Sequence, residues 1–257
     1  MKPTVEVPLR IRAIEFGGPA PLFCIPIVPT DAADLTAQAV IAHRLHPDLV
    51  EWRADYFQTP TPEAFLAAAQ SLRQSLPEEA IIFTLRWKAE GGVREIPQTL
   101  RQTLIETVLR SGCVDIVDLE LASEPAFLDH LLPIAKSCGV RVILAMHDFS
   151  QTPPTEDLLS RISAMNARGA DIAKLAVMPQ NQADVMRLFQ VIIAARKQHP
   201  HLPLAIMSMG ALGSITRVAG FLYGSDMAFA VGKEASAPGQ IPIEDARRIA
   251  DLLLRYS

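Results

Sequence analysis

The 257-residue sequence predicts an α/β fold, a (β/α)8 TIM barrel, with a short N-terminal β-hairpin closing the barrel floor. Three observations predict it. Short apolar, β-rich runs alternate with amphipathic helical stretches from about residue 21 onward. Eight such runs recur at intervals of about 23–34 residues, the spacing of parallel β/α units. The first run leads into Val28-Pro29-Thr30-Asp31, without the glycine-rich turn that an open doubly wound sheet usually carries there.

The elements follow in order. Residues 1–18 precede the repeat, and Thr4–Phe16 with Gly17-Gly18 reads as the hairpin. The barrel strands are expected at 21–28 (PLFCIPIV), 48–55 (DLVEWRAD), 80–86 (AIIFTLR), 114–121 (VDIVDLEL), 141–148 (RVILAMHD), 171–178 (DIAKLAVM), 203–209 (PLAIMSM) and 226–232 (DMAFAVG). A helix is expected after each, with clear periodicity at 62–76, 97–111, 155–168 and 182–199. Thr61-Pro62-Glu63 places a capping hydroxyl before a first-turn proline, and Asn181 stands ready to cap at Gln182. Gly139, Gly169 and Pro200 mark helix ends. No linker or low-complexity stretch divides the chain, so residues 1–257 read as a single domain with 1–18 as its extension.

Composition narrows the function classes. A net charge of −4 offers no basic field for nucleic acid, although a local Arg/Lys cluster can still bind a small anion. Cys24, Cys113 and Cys138 have no metal-ligand spacing and sit beside apolar residues, as buried reduced thiols do. No apolar run approaches the ~18 residues of a membrane span. The N-terminus lacks the apolar core of a signal peptide. A cytoplasmic protein with a small-molecule partner, neither nucleic acid nor membrane, is expected.

The chemistry lies in polar residues where parallel strands should be apolar. Glu51, Arg53 and Asp55 alternate with Val50, Trp52 and Ala54; Asp118 and Glu120 alternate with Val117, Leu119 and Leu121. Arg86 ends the third run, His147 the fifth, and Lys174 lies inside the sixth between Ala173 and Leu175. Alternation sends the apolar set to the helices and the charges into the barrel. A salt-bridge network filling the barrel competes for any one of these residues, Asp55 and Glu120 above all. The set as a whole clusters toward C-terminal strand ends, where barrel active sites lie.

Lys174 is the most informative residue. Burial disfavours a lysine's ammonium form, and the free amine is a nucleophile toward a ketone; pairing with one barrel carboxylate is the alternative. His147, at a strand end, is the natural proton carrier. The other histidines (His43, His46, His130, His199, His201) fall in helices or loops, where solvated rings are expected. Glu90 opens a Glu90-Gly91-Gly92 loop whose glycines let backbone approach a ligand. Arg217 and the loop Ser236-Ala237-Pro238-Gly239-Gln240 could clamp a carboxylate or, as in many barrels, a phosphate, and Gly210-x-x-Gly213 fits either. Met207 and Met209 read as barrel filling.

These residues occur in segments that resemble type I 3-dehydroquinate dehydratases: EWRADYF (51–57), FTLRWKAEGG (83–92), VDIVDLEL (114–121), MHDF (146–149), DIAKLAVMP (171–179), IMSMGALGSITR (206–217) and EASAPGQ (234–240). The resemblance implies a hydro-lyase of the shikimate pathway that converts 3-dehydroquinate to 3-dehydroshikimate through a lysine Schiff base. It implies Lys174 as the imine-forming lysine, His147 as general acid/base and Glu90 as the carboxylate assisting it. It further implies Glu51, Arg53 and Arg86 at substrate hydroxyls, and Arg217, Ser236 and Gln240 at the carboxylate and ring. No metal or cofactor is implied, and a homodimer is. Asp118 could orient His147 or Lys174. Some relatives have Ser at the Pro26 position and Gly at Pro29; the Trp87-Lys88-Ala89 stretch differs from theirs, and Gly210-Ala211-Leu212 replaces a more polar one. Two rivals remain: another lysine-imine barrel of the aldolase type, and a non-catalytic ligand-binding barrel.

Overall fold

The computed structural model describes residues 3–233 and 236–256; Glu234 and Ala235 of the EASAPGQ segment therefore lie outside the described residues. Two short strands, β1 (Leu9–Ile11) and β2 (Ile14–Phe16), pair antiparallel as the expected hairpin. Eight parallel strands follow: β3 (Leu22–Ile27), β4 (Leu49–Arg53), β5 (Ala80–Thr84), β6 (Ile116–Glu120), β7 (Arg141–Asp148), β8 (Ile172–Val177), β9 (Leu204–Ser208) and β10 (Met227–Phe229). They lie in the order β10-β3-β4-β5-β6-β7-β8-β9, a nearly closed barrel.

The seam between β9 and β10 is closed by one backbone bond and two side chains instead of a ladder. Asp226 donates its N–H to Leu204 O at 2.6 Å, and its carboxylate accepts the Leu204 N–H at 2.8 Å. Ser225 Oγ accepts the Ile206 N–H at 3.0 Å. The edge groups of β9 are thus satisfied without a long partner strand.

Helices α1 (Ala32–Arg44), α2 (Pro62–Ser75), α3 (Gln98–Arg110), α4 (Pro125–Ser137), α5 (Thr155–Ala167) and α6 (Gln182–Gln198) connect the strands. The capping residues act as their types require: Thr61 Oγ1 accepts the Ala64 N–H at 3.2 Å, and Asn181 Oδ1 the Asp184 N–H at 3.1 Å. The expected single helix between β9 and β10 is instead broken into α7 (Gly210–Gly213), α8 (Ile215–Ala219) and a 3-10 turn over Gly220–Tyr223. At the break the chain packs closely enough to require glycine: a Cβ on Gly213 would stand 2.5 Å from the Ser208 backbone. The last helix is α9 (Ile243–Arg255). No helix among the described residues is long and apolar enough to cross a membrane.

The strand parity is as the sequence predicts. Val50, Trp52, Phe83, Val117, Leu119, Leu144 and Leu175 face the helices, packing with Leu35, Phe65, Leu72 and Leu104. The opposite parity fills the barrel: Leu22, Leu49, Ile82, Ile116, Ile143, Ile172 and Met227, closed from below by Ile11 and Phe16 of the hairpin. The floor is therefore apolar, and the polar layer begins above it. Pro26 sits within β3 at no cost to the ladder. Cys24 O accepts from Ala230 N and Phe23 O from Asp48 N, so the even residues of β3 point their backbone toward β10. The N–H that Pro26 lacks falls just beyond the end of that strand.

Cys24 is buried as expected, whereas Cys113 and Cys138 are half-buried. His43 is not simply solvated; its Nδ1 meets Glu79 Oε1 at 2.5 Å, and His130 pairs with Glu106 at 2.9 Å.

Candidate active site

A pocket opens at the C-terminal ends of the strands, where barrel active sites lie. All nine residues expected at the site line it: Glu51, Arg53, Arg86, Glu90, His147, Lys174, Arg217, Ser236 and Gln240. Gly91, Phe149, Met207, Met209 and Phe229 complete much of the wall.

The lowest polar layer takes one residue from each of four alternate strands, the arrangement by which barrels are filled. Lys174 on β8 is 4% exposed, and its Nζ lies 2.7 Å from Asp118 Oδ2 on β6 and 3.4 Å from Glu51 Oε1 on β4. The Phe229 ring of β10 lies beneath it, its centroid 4.3 Å from Nζ. Lys174 therefore meets two carboxylates and an aromatic face, not the apolar wall its strand neighbours suggest. Asp118 belongs to Lys174: no hydrogen bond or ion pair among the described residues joins it to His147. The Thr84 hydroxyl donates to Glu51 Oε1 at 2.8 Å and steadies that carboxylate.

Arg86, two residues past the end of β5, extends the network. It pairs with Asp118 at 2.9 Å and Glu120 at 2.8 Å, and Glu120 is also held by Arg101 of α3 and by the Trp87 N–H. Burial works to raise the Asp118 pKa, but the Arg86 and Lys174 charges outweigh it and hold the carboxyl below its ordinary range. Burial likewise opposes the charge on Arg86, yet Asp118 and Glu120 raise its pKa. Arg53 is locked by two 2.8 Å bonds to Asp55, which sits in a 3-10 turn (Ala54–Tyr56) past β4.

His147 pairs with Ala176 in the ladder, while Lys174 pairs with Ala145, so the imidazole stands two residues nearer the mouth. That offset is about 6.6 Å along the strand. Glu90, on the loop after β5, folds over to it: Glu90 Oε2 accepts the His147 backbone N–H at 2.9 Å and faces Nδ1 at 3.0 Å. The loop can reach because Gly91 has φ +91° and packs on Phe149, where a Cβ would stand 2.5 Å from the ring. Phe149 in turn stacks on His147. Burial, reinforced by Glu120, raises the Glu90 pKa to about 7 against the pull of Arg86. Burial and the cations Arg86, Lys174 and Arg53 hold His147 well below the ordinary imidazole value. A neutral imidazole and a half-titrated carboxyl thus share a short contact near neutral pH.

Arg217, on α8, closes the other side. Its contacts are neutral: Met207 Sδ, Phe229 O at 3.4 Å and Pro238 O at 3.1 Å. Among the described residues no carboxylate pairs with it, and burial lowers its pKa to about 10. A buried guanidinium without a counter-ion is a site for an anion. Ser236 and Gln240 join through Ser236 N–H to Gln240 Oε1 at 2.9 Å and Gln240 Nε2 to Ser236 Oγ at 3.2 Å. Gly210 is not free for a phosphate; its N–H donates to Pro238 O at 3.1 Å.

Sequence reasoning missed Phe229, Thr84 and Arg101. Phe229 reads as ordinary strand filling, although the rule that alternate strands share a layer could have placed it with Lys174. Arg101 follows exposed Gln98 and Thr99 in its helix, so nothing local marks it as buried.

The comparisons with known proteins agree. The family model for type I 3-dehydroquinase matches residues 23–256. A curated 3-dehydroquinate dehydratase from Geobacillus thermodenitrificans is 41% identical over 252 residues, 97% of either chain. The crystal structure of 3-dehydroquinate dehydratase from Geobacillus kaustophilus superposes with a TM-score of 0.96 at 41% identity, covering 100% of both chains. The type I 3-dehydroquinate dehydratase from Clostridium difficile, crystallised with covalently modified comenic acid, has a TM-score of 0.94 at 31% identity, over 98% of this chain and 99% of that one.

Proposed function

The chain belongs to the type I 3-dehydroquinase family, and on that premise we propose that it converts 3-dehydroquinate to 3-dehydroshikimate through an imine on Lys174, with His147 carrying the protons. The observation that supports this most is the buried Lys174 amine below His147, facing a pocket also lined by Arg217, which has no carboxylate partner among the described residues.

Arg217 takes the substrate carboxylate, with Ser236 and Gln240 beside it, which sets the ring between Arg217 and Lys174. Glu51, Arg53 and Arg86 face the ring hydroxyls. The Lys174 ammonium lends one proton to a neighbouring carboxylate and the freed amine attacks the ketone carbon; the ketone oxygen leaves as water with two of the three ammonium protons, and the third remains on a protonated imine. Its positive charge draws electrons from the neighbouring carbon-2–hydrogen bond, so neutral His147 can remove that proton. The imidazolium then gives the proton to the leaving hydroxyl of carbon 1, and hydrolysis of the imine frees the product. Glu90 steadies the imidazolium between the two transfers. The imine is the electron sink, so the reading includes no cofactor. An aldolase acting on phosphorylated substrates would need more cations at the mouth than Arg217 supplies.

We read residues 1–257 as one working domain with 1–18 as its floor, placed in the cytoplasm and active as a homodimer. Exposed Met186 and Ile193 on one face of α6, beside Tyr223, supply apolar surface for pairing. Light scattering is expected to give twice the 28.1 kDa chain mass; a monomer at micromolar concentration would remove the dimer from the reading.

Purified protein mixed with 3-dehydroquinate is expected to develop the ultraviolet absorbance of the product's conjugated enone; no product would sink the activity. The same assay tests Glu90. Because its pKa is raised, the carboxyl gains its proton as pH falls through about 7 and then steadies the imidazolium less. We expect kcat/KM to fall below about pH 7, and Glu90→Gln to show a lower profile without that limb. An unchanged inflection in Glu90→Gln would assign the limb to another group.

A further inference from the structure

We propose that Phe229 is a further catalytic residue, whose ring face stabilises the positive charge of the imine nitrogen on Lys174. The proposal rests on the imine reading above and extends it to the atom that carries the charge.

Among the described residues Lys174 Nζ meets Asp118 Oδ2 at 2.7 Å, Glu51 Oε1 at 3.4 Å and the Phe229 ring at 4.3 Å from its centroid, all in its barrel layer. An ammonium has three N–H bonds and can serve both carboxylates. Condensation with the ketone changes that count. The N–C bond forms, the C–O bond breaks, the oxygen departs as water, and the nitrogen retains one proton. The resulting iminium has a single N–H and can donate to one carboxylate at a time. A ring face attracts the cation through its quadrupole and needs no N–H, so this contact survives the change. It is also shielded from water, as Phe229 is 5% exposed.

The ring is held in place for this. Phe229 packs in the barrel interior with Met207 and Met209, and its carbonyl accepts from Arg217 Nη1 at 3.4 Å. The same arginine is the cation proposed for the substrate carboxylate. Phe229 thus sits between the group that anchors the substrate and the nitrogen that bonds to it.

The test is fluorination of the Phe229 ring in the full-length protein, which drains the quadrupole with little change of shape. The probe is 3-dehydroquinate with sodium borohydride, and the readout is the substrate concentration that half-saturates the initial rate of adduct formation on Lys174, located by mass spectrometry. We expect this constant to rise stepwise from mono- to trifluorophenylalanine, by about tenfold in all, and Phe229→Leu to match the trifluoro protein. Should the leucine variant not fold, the fluorinated series remains decisive. A constant that stays within about twofold across the series overturns the role of Phe229 while leaving the Lys174 imine intact. Absence of any Lys174 adduct in the unsubstituted protein would instead overturn the imine reading, and this proposal with it.

Discussion

Lys174→Ala is expected to lower kcat/KM for 3-dehydroquinate by more than about 10⁴-fold and to leave no borohydride-stable adduct. The size follows from what is removed. Without the amine no imine forms, and the carbon-2 proton loses the cation that acidifies it; among the described residues no other lysine lines the pocket to substitute. The substitution also removes a buried cation from between Asp118 and Glu51. Breaking a buried pair typically costs about 3–5 kcal/mol. The cost should fall at or below the lower end here, because Arg86 still pairs with Asp118 and Thr84 still donates to Glu51. A thermal melt beside the kinetics separates lost chemistry from lost fold, and Lys174→Met, which fills the space, serves as the companion variant. A folded Lys174→Ala protein with full turnover would end the imine mechanism.

His147→Ala separates the two halves of the reaction. Loss of the proton carrier is expected to lower kcat by about 10²–10⁴-fold, the usual worth of general acid–base catalysis. Imine formation does not require His147 to touch Lys174, and no contact between them is seen among the described residues. Borohydride should therefore still trap substrate on Lys174 in this variant, on a protein that no longer turns over. The low pKa of His147, set by burial and three nearby cations, keeps the base neutral well into the acid range. Its own protonation should then limit activity only far below neutrality, leaving the limb near pH 7 to Glu90. Loss of both trapping and turnover in a folded His147→Ala protein would mean that the histidine is needed to form the imine, contrary to the geometry.

Much of the barrel was legible in the sequence because its causes are local. A strand alternates its side chains with period two, so Glu51, Asp118 and Lys174 could be assigned to the interior from their neighbours alone. Capping at Thr61 and Asn181 depends on a side chain meeting its own helix three residues on, and both appear as expected. The one connection that departed, between β9 and β10, is broken where Gly213 lies close against the Ser208 backbone, a tertiary contact that no helical periodicity records.

What the sequence by itself determined is which residues face inward and at which end of the barrel they gather. The tertiary structure decided their partners. Lys174 meets Asp118 and Glu51 across 56 and 123 residues of chain, Glu90 folds 57 residues along to His147, and Phe229 comes beneath the amine from the closing strand. Arg217 meets no carboxylate among the described residues for the same kind of reason: the groups the fold brings to it there are a thioether and two carbonyls. Facing direction follows from bond geometry within a few residues, whereas a distance between side chains on separate strands depends on the stagger of the whole sheet and the paths of its loops.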